Sequence, residues 1–387
     1  MPALRTRMTA RDTNEAHRVS SPLELLFDLT FVVAIAQIAL QLAVAIEHGH
    51  TLDVLGPYCM VFFAIWWAWM NFTWFASAYD TDDVPYRLLT LLQMGGVLVL
   101  ASGVPSAFDG DGYLAITIGY FIMRVGLVAQ WVRAATQHPE GRATARRYAA
   151  GITLVQAGWV ARLLLPDDLQ VISFLVLAVF DLAVPLWAER TGSTAWHPHH
   201  IAERYGLFTI ILLGEGVLGA TAAVQVAVEH EITVDLIVIA ASGLVIVFGL
   251  WWLYFSEQSG DGLADNRGKS FLWGYGHYGV FAALAALGSG LEVAVASTGH
   301  HIETSNRVVG LAIAIPVAIF LVLLWLLHVP ILDRPAVTPL AVIGAAVVVL
   351  GLPLLALPVA VTVLLIALTV ALLLTLTLAR SRHSLDA

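Results

Sequence analysis

About twelve apolar stretches of roughly 20 residues follow one another along this chain, each long enough to cross the hydrocarbon core of a bilayer as a helix. The gaps between them alternate in charge. Of the 19 Lys and Arg residues, 16 fall in every second gap. A chain of 387 residues that is 59% hydrophobic and 12% charged, with mean hydropathy +0.82, carries more apolar surface than a soluble domain of its size can hide. In lipid every backbone group must be satisfied within the segment, so such a chain is expected to be almost entirely helical.

The expected spans are 22–45, 54–78, 86–107, 113–135, 146–165, 169–188, 202–228, 232–255, 271–294, 308–330, 337–357 and 360–380. Only Pro358 and its neighbours divide the last two. One parity of gaps holds Arg5, Arg7, Arg11 and Arg18, then Arg87, the Arg133–Arg147 group, Arg190 and Arg204, Arg267 and Lys269, Arg334, and Arg380 and Arg382. The other holds only Arg307 in a loop and Arg162 near a helix end, while Arg124 lies inside a span. The positive-inside rule then places both termini in the cytoplasm. The first apolar segment is too long for a cleaved signal peptide and reads as a retained helix. The single Cys59 rules out an intrachain disulfide and any cysteine-based metal site.

The chain also reads as two halves of six helices. Glu24-Leu-Leu-Phe-Asp28-Leu-Thr30 opens the first, and Glu203-Arg-Tyr-Gly-Leu-Phe-Thr209 opens the second. Trp66-Trp67 and Trp251-Trp252 mark the second helix of each half, and Gly95 and Gly279 the third. The shared order points to duplication. The expected organisation is a cytoplasmic tail 1–21, a repeat 22–188, a linker 189–201, a parallel repeat 202–380 and a tail 381–387. Parallel repeats of transporters carry their ligand sites near the bilayer midplane.

Charged side chains inside spans cost ~2.5 kcal/mol or more and need partners or water. Glu24 and Asp28, four residues apart, share one face of the first helix. Ser21-Pro22-Leu23-Glu24 is a capping box with proline at the first helical position, a sufficient structural reason for Glu24. Glu203 holds the matching position in the second half, with Arg204 beside it. Asp28 lies one turn deeper, where no cap explains it. Arg124 cannot deprotonate and needs an acid within reach; Asp181 and Glu215 are the candidates by depth. His277 lies within the ninth span, as a proton carrier or a packing histidine, and Glu292 lies near that span's outer end. Gln37, Asn71, Gln93 and Gln156 can bond across helices.

Three sets of histidines, His197/His199/His200, His48/His50 and His300/His301, lack metal-binding spacing and read as exposed loop residues. The tryptophans read as interface belt and helix packing. No phosphate loop, nucleophile elbow or dinucleotide fingerprint appears, so no cofactor is expected.

Ser21-Pro-Leu-Glu24-Leu-Leu-Phe-Asp28-Leu-Thr-Phe-Val closely resembles the opening motif of the bacterial low temperature requirement protein A (LtrA) family. His200-Ile-Ala-Glu203-Arg204-Tyr-Gly206 through Gly214-Glu215 is similar to that family's second motif. The tryptophan pair and the Tyr79-Asp80-Thr-Asp82-Asp83 loop also fit. The resemblance implies a polytopic protein of the bacterial inner membrane, linked by name to growth in the cold, and offers no mechanism. The leading expectation is a transporter, proton-coupled, with Asp28, Arg124, Asp181, Glu215 and His277 in a polar pathway. The alternatives are a membrane-embedded lipid-modifying enzyme and a lipid- or cold-sensing structural protein. The expected partners are membrane lipids and a small molecule or ion, not nucleic acid, with oligomerisation open.

Overall fold

A computed structural model describes residues 4–13, 15, 18–229, 232–257, 259–299, 302–332 and 337–385. Among these residues every regular element is a helix. The first six long helices are α1 (Pro22–Glu47), α2 (Thr51–Tyr79), α3 (Val84–Ser102), α4 (Leu114–Gln137), α5 (Arg142–Arg162) and α6 (Gln170–Ala188). They are followed by α7 (Pro198–Glu229), α8 (Val234–Phe255), α9 (Ser270–Gly299), α10 (Asn306–His328), α11 (Pro339–Gly351) and α12 (Val359–Leu385). Nine stretches among the described residues are long and apolar enough to cross a membrane, and these contain α1–α4, α6, α8–α10 and α12. The 13-residue α11 is shorter, and α5 starts on Arg142, Arg146 and Arg147.

Local chemistry sets the boundaries. Ser21 and Glu24 form the expected reciprocal box: the Ser21 N–H donates to Glu24 Oε2 at 2.7 Å and the Glu24 N–H to Ser21 Oγ at 3.3 Å. Asp83 caps α3 by accepting from the Tyr86 N–H, and Thr233 caps α8 by accepting from the Leu236 N–H. The third expected span is interrupted at Gly103, after which a short helix runs over Val104–Phe108. After α11 a tight turn at Leu352–Leu355 ends on Ala356, whose φ of +51° breaks the helix before Pro358.

The chain divides into two compact units. One comprises Met1–Gln37 and Met60–Arg204; the other comprises Ile38–Cys59 and Tyr205–Ala387. Within the first, α3 packs on α4, α4 on α5 and α5 on α6. The α3–α4 crossing depends on Gly96 and Gly119, since a Cβ on Gly119 would lie 2.4 Å from the Leu100 nitrogen and 2.5 Å from the Gly96 oxygen. Gly95 itself faces open space, so its neighbour carries the packing. Gln93 Nε2 donates to Gln130 Oε1 across the same pair, and Gln130 Nε2 to the Thr90 hydroxyl. Asn71 instead donates to Trp67 O on its own helix, and neither polar atom of the buried Gln156 has a partner.

Described residues before α1, in the segment expected as a cytoplasmic tail, pack within the first unit. Met8 is fully buried, its N–H donates to Gln137, and the Thr6 N–H donates to Asp83. In the second unit α8 packs on α12 and α10 on both α9 and α11. Large apolar side chains such as Leu29, Phe180, Val179 and Leu368 point outward, a surface suited to lipid. The two tryptophan pairs differ: Trp66 and Trp67 are core residues, whereas Trp251 and Trp252 are 44% and 48% exposed.

Candidate functional site

The i, i+4 spacing of Glu24 and Asp28 puts both carboxylates on one face of α1. Facing them in the first unit is Arg204, which the helix start at Pro198 carries nearly two turns into α7. Arg204 Nε donates to Asp28 Oδ2 at 3.0 Å, Nη2 to Asp28 Oδ1 at 2.5 Å and Nη1 to Glu24 Oε1 at 3.0 Å. This is the forked geometry that guanidinium and carboxylate favour. Trp69 Nε1 on α2 also donates to Asp28 Oδ1, at 2.7 Å. Both Asp28 oxygens are thereby occupied and the residue is only 2% exposed, so Asp28 sits inside a filled polar cluster.

The cluster extends outward from Glu24. His200 Nε2 lies 3.0 Å from Glu24 Oε1, and Arg18 Nη2 lies 3.6 Å from Glu24 Oε2 and 3.5 Å from Asp80 Oδ2. Arg11 reaches the same Asp80 oxygen at 3.3 Å and also pairs with Glu15. Arg18 Nη1 donates to the Val19 carbonyl, but Nε and Nη2 form no hydrogen bond; neither does the buried Tyr86 hydroxyl. Four carboxylates (Glu15, Glu24, Asp28, Asp80) thus meet three arginines (Arg11, Arg18, Arg204). Burial, followed by the nearby charge of Glu24, raises the Asp80 carboxyl to about 6 against the opposing pull of Arg18 and Arg11. Asp83, three residues on, goes the other way. Burial would raise it, but hydrogen bonds from Arg133 and the Thr6 and Tyr86 N–H groups hold it below the usual carboxylate range.

One sequence expectation needs correction here. His197 and His200 are buried rather than exposed in a loop, because α7 begins at Pro198 and turns His200 into the cluster. Glu203, at the matching position of the second half, lies inside α7, and its Oε1 accepts from the Ser20 N–H at 3.2 Å. His199 is exposed, and His50 lies 3.4 Å from Asp53 in the exposed turn after α1. His300 and His301 lie outside the described residues. Among the described residues no three His, Cys, Asp or Glu side chains converge as metal ligands.

A second charged group occupies the same unit between α4, α5 and α6. Arg124 Nη2 lies 3.5 Å from Asp181 Oδ1, and it donates to the Tyr120 hydroxyl. Tyr120 passes the contact on to Asp181 Oδ2 at 3.1 Å, where Trp159 Nε1 also donates at 2.8 Å. Arg124 Nη1 is buried without a hydrogen bond. Of the two acids open to Arg124 by depth, Asp181 is the one it meets.

Glu215 and His277 belong to the second unit. Glu215 packs its stem against Gly288 of α9, and its charged neighbour is another acid, Glu292. His277 is satisfied on both ring nitrogens. Nδ1 lies 2.7 Å from the Trp273 carbonyl, which can only accept, so Nε2 accepts from the Tyr254 hydroxyl at 3.1 Å.

The residues that sequence reasoning missed are Arg18, Trp69, Asp80, Tyr86 and His200. An aspartate preceding a capped helix and an arginine just before a first span were the available signals, and both read equally well as solvated loop groups.

Long apolar helices with charged side chains buried between them, most gathered into paired clusters, define a polytopic, all-helical membrane protein. The chain belongs to the bacterial low temperature requirement A (LtrA) family, whose model matches residues 19–377. It is 28% identical over 307 residues to an uncharacterized protein of Rhizobium meliloti (strain 1021), covering 75% of this chain and 73% of that one. No solved structure matches it.

Proposed function

We propose that this protein is a proton-coupled transporter in which Asp80 is the group that exchanges the proton and Arg18 the group that responds to it. The reading is supported above all by the position of Arg18 Nη2, nearly equidistant from Asp80 and Glu24. With Asp80 protonated, three carboxylates balance three arginines and Arg18 turns to Glu24; with Asp80 ionised, one negative charge is in excess and Arg18 is drawn to Asp80. A carboxyl at about 6 makes that exchange near neutral pH. Asp28 and Arg204 form the fixed end of the cluster, and Arg124, Asp181 and Glu215 are the further intramembrane charges of the pathway. In this reading His277 is a packing group.

The proposal includes twelve crossings, two duplicated halves and both termini in the cytoplasm. In a Cys59→Ser background, Asp111→Cys should label from outside intact cells and Glu140→Cys only after permeabilisation. Equal external labelling at both positions would overturn the topology.

The functional test uses purified protein in liposomes carrying a lumenal pH dye and a panel of low-molecular-weight solutes. At least one solute class should drive a pH change with the native protein, and Asp80→Asn should abolish it without lowering the thermal midpoint. No proton movement with any solute, or full movement in the variant, would sink the reading. A lipid-handling role is favoured by a different observation: an apolar cavity of about 550 Å³ in the second unit, lined by Leu42, Leu55, Tyr58, Ala283 and Ile315. Filling it with Ala283→Trp would abolish that role and leave proton movement intact.

A further inference from the structure

Arg162, at the end of α5, is a cation without an acid. It is 3% exposed, and among the described residues no carboxylate lies within ion-pair distance of it. Its Nε and Nη2 both donate to the Gln170 carbonyl, at 3.2 and 2.9 Å, and Nη1 is left with no hydrogen bond. Around the guanidinium stand three rings: Tyr113 at 4.8 Å, Phe174 at 5.7 Å and Trp159 at 6.0 Å from ring centroid to carbon. Rings and one carbonyl offset part of the desolvation of a permanent charge, but they do not neutralise it.

The same residue opens onto a cavity of about 30 Å³ in the first unit. One water needs ~10–15 Å³, so the space admits a water or a single small ion and excludes a sugar or an amino acid. The polar groups on its wall are Arg162, the hydroxyls of Tyr113 and Thr117, Tyr120, and Trp159. Tyr120 and Trp159 are already committed to Asp181. The Tyr113 and Thr117 hydroxyls form no side-chain hydrogen bond, so the uncommitted donors among the residues lining this largely apolar space are Arg162 Nη1 and two hydroxyls. The neighbouring pair does not alter the balance: Arg124, Arg162 and Asp181 together carry one excess positive charge. A nearly buried site with free donors and surplus positive charge is incomplete without a negative partner.

We infer that the Arg162 cavity binds a small anion, held by the Arg162 guanidinium with Thr117 and Tyr113 as hydroxyl donors. A free halide and an anionic oxygen of a net-negative phospholipid headgroup satisfy the same chemistry, whereas the choline cation of a zwitterionic headgroup competes with Arg162 for its own phosphate. The site stands apart from the Asp80 cluster, and its failure would leave the transport reading untouched.

The experiment takes full-length protein in detergent, exchanged into sodium gluconate, and follows thermal unfolding while chloride or bromide is titrated at constant ionic strength. A second arm compares nanodiscs of phosphatidylcholine with nanodiscs containing phosphatidylglycerol. The midpoint should rise saturably with halide, or with the anionic lipid, and the rise should vanish in Arg162→Gln. Saturation by halide identifies a free ion as the source; a response to anionic lipid alone identifies a headgroup. Thr117→Val keeps the cation and removes one donor, so it should fold and bind roughly three- to tenfold more weakly. Should Arg162→Gln fail to fold, Thr117→Val carries the test. The inference is overturned if neither anion source shifts the midpoint, or if the shift is unchanged in whichever variant folds.

Discussion

Arg204 holds Asp28 through two parallel bonds, Nε to Oδ2 at 3.0 Å and Nη2 to Oδ1 at 2.5 Å, and its remaining arm reaches Glu24. One guanidinium therefore ties two carboxylates on successive turns of α1. Removing it leaves two buried acids facing one another. Arg204→Met should cost ~3–5 kcal/mol, the usual penalty for breaking a buried pair from one side. Arg204→Lys should recover only part of this, because an ammonium cannot span the fork. Thermal midpoints in detergent measure both, and full recovery by lysine would show that charge alone matters.

Asp80 and Asp83 should respond to pH in opposite senses. The folded Asp80 carboxyl is raised to about 6, above the ~3.9 of an unfolded aspartate. Its contribution is therefore complete below ~3.9 and is lost as pH rises through about 6. Asp83 is depressed, so its contribution is present above ~3.9 and is lost as pH falls through its folded value. Asp80→Asn should raise the midpoint at about pH 7.5, leave it unchanged near pH 4 and flatten the profile between them. A profile parallel to that of the native protein would remove Asp80 as the titrating group.

Arg124 and Asp181 form a closed cycle for double substitution. Arg124→Leu alone should destabilise by ~3–5 kcal/mol, since Asp181 stays buried. Arg124→Leu with Asp181→Leu should restore most of the loss. If proton movement in liposomes returns with the stability, the pair is a clamp; if stability returns alone, the pair belongs to the pathway.

The α3–α4 crossing makes a purely steric prediction. Gly119→Ala places a methyl 2.4 Å from a backbone nitrogen, which cannot rotate away. A loss of ~1–3 kcal/mol is expected. Gly95→Ala, facing open space, should be neutral or slightly stabilising through its better helix propensity. Equal effects at the two positions would contradict the packing described.

The spans, the capping box and the candidates for pairing Arg124 were legible because each depends on a local rule: apolar length, a four-residue motif, or depth along a helix. Arg204 was harder. It falls at the very start of the expected span 202–228, where it reads with Arg190 as an orientation signal, and the start of α7 at Pro198 carries it more than a turn deeper. Asp80 and His200 escaped as well. Asp80 is met by Arg11 and Arg18 from the segment before α1, and His200 is turned inward by the start of α7; irregular backbone has no period to betray which of its residues face inward.

The bonds from Arg204 to Asp28 and Glu24 join residues 176 and 180 positions apart. At ~5–20 residues per second, a ribosome takes on the order of ten to thirty seconds to travel that distance. During that interval α1 is already made and its two carboxylates have no counter-ion from α7. The partners already synthesised are Arg18 for Glu24 and, once α2 is made, Trp69 for Asp28. The order of synthesis makes the Arg204 bonds the last of these contacts to α1 that can form.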